Sequence, residues 1–274
     1  SNNDATNDNA FTCEVVTVSK SGPSLGQIFV GTEEGGIYKS TDQGVSWSIC
    51  LDDASGGLPI TALETTDHAL YMAMNLGTVF KSSIFCGITN TLNILGEHFV
   101  SSVWTKLQVV TGVDASSDLV FVGTTIKDNI DNRYGVYFSS DSGENYTQKN
   151  NGIGDYSVQA LAIDPNDSNR LLLGTAGGGI FKTTDGADNW TAVNSGTVGS
   201  LSLAFAEDPT DENHLLAGGS VGLPEATGGF YETNDGGSNW NRVTALQVDP
   251  VALDISEVNA NTILAGGYRG GIYR

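Results

Sequence analysis

The chain has 274 residues, of which 32 are Asp or Glu and 12 are Lys or Arg, for a formal charge of −20. A surface this acidic repels phosphate backbones and anionic lipid, which sets nucleic acid and membrane surfaces aside as partners, and no apolar stretch approaches the length of a transmembrane helix. Cations, basic proteins and neutral glycans stay open, as does the plainer reading that acidity only keeps a secreted protein soluble.

The first residues, Ser1-Asn2-Asn3-Asp4-Ala5-Thr6-Asn7-Asp8-Asn9, have the composition of an exposed linker and show no signal peptide. Strand-like alternation then begins at Glu14–Ser19 and continues through Gln27–Thr32 and Gly36–Ser40 to a strand opening at Trp47. Between the last two lies Ser40-Thr41-Asp42-Gln43-Gly44, an aspartate with a nearby glycine, the chemistry of a tight turn in which a carboxylate accepts backbone N–H groups. Leu51–Pro59 crosses to a second group of strands. That group is degenerate, because after Thr78–Ser82 the run Ser83-Ile84-Phe85-Cys86-Gly87 carries no Asp.

Residues 93–106 make the longest crossing, and the third group inserts Thr125–Tyr134 between its middle strands. The turn design returns as Ser139-Ser140-Asp141-Ser142-Gly143 to Tyr146, as Thr183-Thr184-Asp185-Gly186-Ala187 to Trp190, and as Thr233-Asn234-Asp235-Gly236-Gly237 to Trp240. The fifth group again has a long middle loop, Ser220–Thr227, and the sixth stops at Gly271-Ile272-Tyr273-Arg274.

Measured from the small residue closing each second strand (Gly31, Ala73, Gly123, Gly174, Gly218 and Gly266), the spacings are 42, 50, 51, 44 and 48 residues. Four strands, here A to D, in a period of roughly 40 to 50 residues predict a β-propeller. The expected fold is therefore all-β, a single propeller domain over 1–274 with six four-stranded blades, the second of them weak. Eight residues follow Gly266 and 31 lead up to Gly31, 39 in all, slightly short of one period. Residues 1–13 are accordingly expected either to supply a closing strand for the last blade or to be a linker, the rival being a piece cut from a longer protein.

These turns resemble the Asp-box, or BNR, repeats of sialidase-like propellers, a superfamily that includes xyloglucanases, sortilin-type receptors and a photosystem II assembly factor. The resemblance spans about residues 14–274 and implies a scaffold more than a role. Against the sialidase pattern, the five arginines Arg133, Arg170, Arg242, Arg269 and Arg274 supply no Arg-Ile-Pro motif near the N-terminus, and Arg170 opens a B strand on the wrong face. The xyloglucanase wording is closer, as in Ala162-Ile163-Asp164-Pro165-Asn166-Asp167, but those enzymes clamp substrate between two propellers. The photosystem factor's basic patch has no counterpart in so acidic a chain.

In such a blade the B–C loops and D–A crossings project from one end, and the A–B loops and Asp-box turns from the other. Every long insertion falls on the first end, where binding residues tend to collect. The candidate binding residues there are Glu33, Glu34, Glu97, His98, Trp104, Lys127, Asp128, Asp131, Arg133, Tyr134, Glu225, Tyr268 and Arg269, with Asn75 beside them. Carboxylates, an aromatic platform and a guanidinium suit a sugar; ordinary solvated loop residues are the plainer reading. Carboxylates for glycoside hydrolysis would be Asp128 or Asp131 paired with Glu225 or Glu34. Asp42, Asp141, Asp185 and Asp235, with Trp47, Tyr146, Trp190 and Trp240, are expected to be structural.

His68, His98 and His214 are dispersed, and no cysteine or histidine cluster has zinc spacing, so no metal or cofactor is expected. Of Cys13, Cys50 and Cys86, a Cys13–Cys50 bridge is open to the chain, and the odd count leaves at least one thiol unpaired. The reading is a non-catalytic extracellular, periplasmic or cell-surface scaffold that binds a glycan or a protein, or forms part of a surface assembly. The alternative is a carbohydrate-active hydrolase or lyase, or a piece of one.

Overall fold

A computed structural model describes residues 13–19, 24–51, 57–67, 69–74, 78–83, 86–90, 105–111, 117–125, 134–164, 166–197, 201–208, 210–220, 229–243, 250–255, 262–267 and 271–274. The chain falls into two compact units, Ser1–Thr105 and Lys106–Arg274. Within each, consecutive strands pair antiparallel as meanders.

The first unit holds two sheets. One runs β1 (Cys13–Val18), β2 (Ile28–Thr32), β3 (Ile37–Ser40) and β4 (Ser48–Leu51); the next runs β5 (Ile60–Thr65), β6 (Ala69–Met74), β7 (Thr78–Ser83) and β8 (Gly87–Asn90). The second unit continues the pattern. Its third sheet is β9 (Thr105–Thr111), β10 (Asp118–Thr124), β11 (Gly135–Ser139) and β12 (Thr147–Gln148), and its fourth is β13 (Val158–Ile163), β14 (Leu171–Thr175), β15 (Gly179–Thr183) and β16 (Thr191–Ala192). The fifth comprises β17 (Leu201–Asp208), β18 (Asp211–Ser220), β19 (Gly229–Thr233) and β20 (Asn241–Arg242), and the sixth has three described strands, β21 (Pro250–Ile255), β22 (Ile263–Gly267) and β23 (Gly271–Tyr273). The stretch expected to close the last blade lies outside the described residues except for Cys13, which opens β1 opposite Thr32.

The second strands β6 and β14 read as unbroken apolar runs because both their faces are covered. In β14 the side chains of Leu171 and Leu173 pack with Phe121 and Val136 of the third sheet. Leu172, pointing the other way, packs with Leu215, Ala217 and Tyr231 of the fifth. A strand's two-residue period thus feeds two seams at once. In the first unit Phe29, Ile37 and Leu51 meet Ile60, Leu63, Leu70, Met72 and Met74 in the same way.

The recurrent Gly-Thr at the end of the second strand has two separate causes. A Cβ on Gly31 would lie 2.6 Å from Cγ2 of Ile60, the first residue of the next sheet, and one on Gly123 would run into Val158 at the same place. The threonines Thr32, Thr124 and Thr175 are buried, and each hydroxyl donates to the carbonyl of the residue opening or preceding the third strand (Gly36, Gly135 and Gly179) while accepting an N–H from that turn. A bulge near the start of the first strand recurs in five sheets, after Cys13, Ile60, Val158, Ser202 and Pro250. At Ile60 and Val158 it aims the strand's first side chain toward the preceding sheet's glycine.

Gly123→Ala is therefore expected to lower stability by about 1–3 kcal/mol, as overpacking does. Gly154→Ala, where a new Cβ meets nothing within 4 Å, is expected to leave the denaturant midpoint unchanged; equal losses in the two variants would refute this account of the seam.

Candidate functional site

The Asp boxes are built alike. Oδ1 of Asp42, Asp141, Asp185 and Asp235 accepts the hydroxyl of the Ser or Thr two residues earlier and the backbone N–H of the residue four later. Oδ2 takes that later residue's side chain, Ser46, Asn145, Asn189 or Asn239. Two successive left-handed residues complete each turn, Gln43-Gly44, Ser142-Gly143, Gly186-Ala187 and Gly236-Gly237.

Hydrogen bonds from the residue four later, side chain first and then backbone, hold Asp42, Asp185 and Asp235 down at about 2. At Asp141 burial pushes upward, but bonds from Ser139 and Asn145 prevail and the value is again about 2. All four carboxylates accept hydrogen bonds from their own turns.

The aromatic after each box does different work in different sheets. Trp190 and Trp240 are 4% and 3% exposed. Their indole Nε1–H groups reach the preceding sheet's carbonyls of Lys149 at 3.0 Å and Val193 at 2.9 Å. Their backbone N–H groups donate to Asn151 and Ser195, whose successors Gly152 and Gly196 could carry no Cβ without striking the tryptophan carbonyl. Asn150 and Asn194 each accept an N–H of the third strand and donate back to a carbonyl before it, prolonging the two-residue outer strand. Tyr146 has no indole N–H; its buried hydroxyl lies over Gly143 of its own turn, and burial pushes the phenol up. Trp47 is 45% exposed within its unit.

At this same end the structure assembles a charged cluster that the sequence reading missed. The A–B turns of the fourth and fifth sheets both begin Asp-Pro, and Asp164 and Asp208 each accept a backbone N–H two residues on. Each also faces a basic group at the start of the next strand: Arg170 Nε lies 3.4 Å from Asp164, and His214 Nδ1 lies 2.9 Å from Asp208. Arg170 crosses to the fifth sheet, binding the carbonyl and carboxylate of Glu212, and Lys182 donates to Gly236 of that sheet's box at 2.7 Å.

His214 Nε2 is 2.9 Å from Glu232, so both ring nitrogens face carboxylates. Burial opposes charge on the ring, but the bonds to Asp208 and Glu232 outweigh it and raise its pKa. Asp208, pushed up by burial but held by His214 and Thr210, falls to about 2. Glu207, on the neighbouring position, is pushed up to about 7 by burial and by Asp164. The repeated Asp-Pro-x-Asp with Arg170 and His214 at matched offsets was the available signal.

Of the loop-end candidates, Glu33 and Glu34 are exposed in the β2–β3 turn. Tyr134, partly buried before β11, uses its carbonyl to accept Gln148 and Asn150. Asn75, Glu97, His98, Trp104, Lys127, Asp128, Asp131, Arg133, Glu225, Tyr268 and Arg269 lie outside the described residues. Among the described residues no His, Cys, Asp and Glu cluster could hold a metal, and no helix is long and apolar enough to cross a membrane.

The cysteine expectation needs correction. Cys50 pairs with Cys86, Cα–Cα 4.8 Å, and Cys13 is an exposed free thiol. Cys50 points into the seam with the second sheet, where Cys86 packs against the same cluster, whereas Cys13 opens β1 and is exposed.

Residues 134–264, just under half of the chain, match the family described as sortilin, neurotensin receptor 3 (Sortilin-Vps10). No curated protein sequence matches the chain. Among solved structures, a GH74 enzyme from Niastella koreensis superposes with a TM-score of 0.71 at 14% identity over 92% of this chain and 43% of that one. YCF48 from Cyanidioschyzon merolae gives 0.63 at 15%, covering 91% and 79%. The extracellular domain of a putative hybrid two-component system from B. thetaiotaomicron gives 0.68 at 13%, covering 96% and 32%. The chain spans less than half the length of that GH74 enzyme. The fold is an all-β propeller, and the resemblance to sialidase-like and sortilin-like Asp-box propellers holds.

The pH dependence of stability follows from these groups. The box carboxylates, at about 2 against an ordinary 3.8, contribute fully above about pH 4 and lose that contribution as pH falls through 2. Glu207, raised from 4.5 to about 7, weakens the fold as pH rises between those values, and His214, raised from 6.5, loses its contribution as pH rises through its folded value. The thermal midpoint should peak near pH 4–5. Glu207→Gln should flatten the fall between pH 5 and 7 and be roughly 2–3 kcal/mol more stable than the parent at pH 8; an unaltered profile in a scanning-fluorimetry series would refute the assignment.

Proposed function

We propose that the chain is a non-catalytic, extracellular recognition or scaffold propeller that holds a glycan or a protein through its loop-rich end. The observation that carries this reading is the saturation of the Asp-box carboxylates by their own turns, Asp185 by Thr183 and Asn189 for example. Those acids are structural, which leaves ligand chemistry to the opposite end, where the long insertions fall. The candidates there are Trp104 and Arg269 with Lys127, Asp128, Asp131, Arg133 and Glu225. The Cys50–Cys86 disulfide favours an oxidising compartment.

Among the structural neighbours are YCF48 bound to D1 peptide and the extracellular domain noted above, both compatible with a binding role on this scaffold. The second reading, a carbohydrate-active hydrolase or lyase or a piece of one, is favoured by the GH74 neighbours. An enzyme requires two carboxylates converging across a scissile bond, with Asp128 or Asp131 and Glu225 or Glu34 as the pairs to test.

The purified chain, passed over immobilised polysaccharides, glycans and peptides, is expected to be retained by one class, and Trp104→Ala with Arg269→Ala to abolish retention. Retention that survives the double substitution would place binding away from the loop-rich end. Release of shortened glycan during the run would favour the enzyme.

A further inference from the structure

The disulfide occupies a position that the repeat defines. In the fourth and fifth blades the link to the preceding blade is an indole N–H on the carbonyl of Lys149 or Val193. Each acceptor stands three residues after its own blade's box aromatic, Tyr146 or Trp190. In the first blade the residue three after Trp47 is Cys50.

The second blade has no box aspartate, but strand register aligns its described positions with those of a box. Ser82 pairs with Leu70 as Thr183 pairs with Leu171, so Cys86, four residues on, corresponds to Ala187. Both are left-handed, with φ of 63° and 71°. The bridge therefore joins the turn of the second blade to the D-strand residue of the first that an indole would otherwise engage.

We propose that Cys50–Cys86 is the covalent substitute for the indole clamp, and that the turn end of the second blade is locked to the first by oxidation. A dithiol reductant breaks the Sγ–Sγ bond, delivering two electrons and two protons to form two thiols while it closes to its own disulfide. Among the described residues no box carboxylate or indole then holds the turn, and the seam opens there first. The fourth and fifth blades, clamped without cysteine, are unaffected.

The test is amide hydrogen exchange on the folded Cys13→Ser protein, with and without dithiothreitol, so that only this pair can respond. Exchange at Ile49–Leu51 and Gly87–Asn90 is expected to rise about tenfold or more on reduction, with the amides of Lys149 and Val193 unchanged. Unchanged exchange throughout overturns the proposal. So does a uniform rise across both units, which would make the bridge a support of the whole fold. Reoxidation should restore slow exchange, and Cys50→Ser with Cys86→Ser should behave as the reduced protein. If that double variant does not fold, reduction of the folded Cys13→Ser protein still decides.

Discussion

A carboxylate that turns back onto its own loop is the constraint from which the blades follow. With Oδ1 and Oδ2 of Asp185 taken by Thr183 and by the backbone and side chain of Asn189, the next residue, Trp190, leaves the turn in a fixed direction. That direction delivers its indole to the preceding blade and its backbone N–H to Asn151. The turn is local chemistry; the clamp is long-range packing; the first aims the second. Tyr146, in the corresponding place after Asp141, has no indole, and its hydroxyl lies over Gly143 of its own turn.

The seams divide their work by height. Midway, alternate side chains of one strand fill two seams, as Leu171 and Leu173 do on one side and Leu172 on the other. At the end of the second strand, absence of a side chain is required, and Gly31 and Gly123 admit Ile60 and Val158. At the turn end polar groups take over, Arg170 and Lys182 reaching into the fifth blade. Few of these contacts are interchangeable, since each requires a different residue type at a fixed place in the period.

The strands were legible because each carries its own signal: apolar alternation, a closing Gly-Thr, and an aspartate two residues after Ser or Thr. The first unit's observed bounds, Cys13–Val18 and Ile28–Thr32, fall within one residue of those read from Glu14–Ser19 and Gln27–Thr32. What was not legible depends on which blade neighbours which. Cys86 looked like debris of a failed turn, because nothing local reveals that its left-handed backbone faces Cys50. His214 looked dispersed, because its partners Asp208 and Glu232 lie six and eighteen residues away on different strands. The loop-end candidates rest on the position of insertions alone; of them, Glu33, Glu34 and Tyr134 fall among the described residues, with Glu33 and Glu34 in a turn and Tyr134 serving its own sheet through its carbonyl.

The outermost strands β12, β16 and β20 are each two residues long. After β12 and β16 the chain hands the sheet edge to the side-chain amides of Asn150 and Asn194, which satisfy both a donor and an acceptor of the inner strand. An unpaired edge of ordinary length is a template on which a foreign strand can grow. Here each rim strand offers only two residues, too few to nucleate one. These blades are thereby protected against edge-to-edge aggregation by the brevity of their rims, a safeguard that owes nothing to the chain's charge and persists in salt strong enough to screen it.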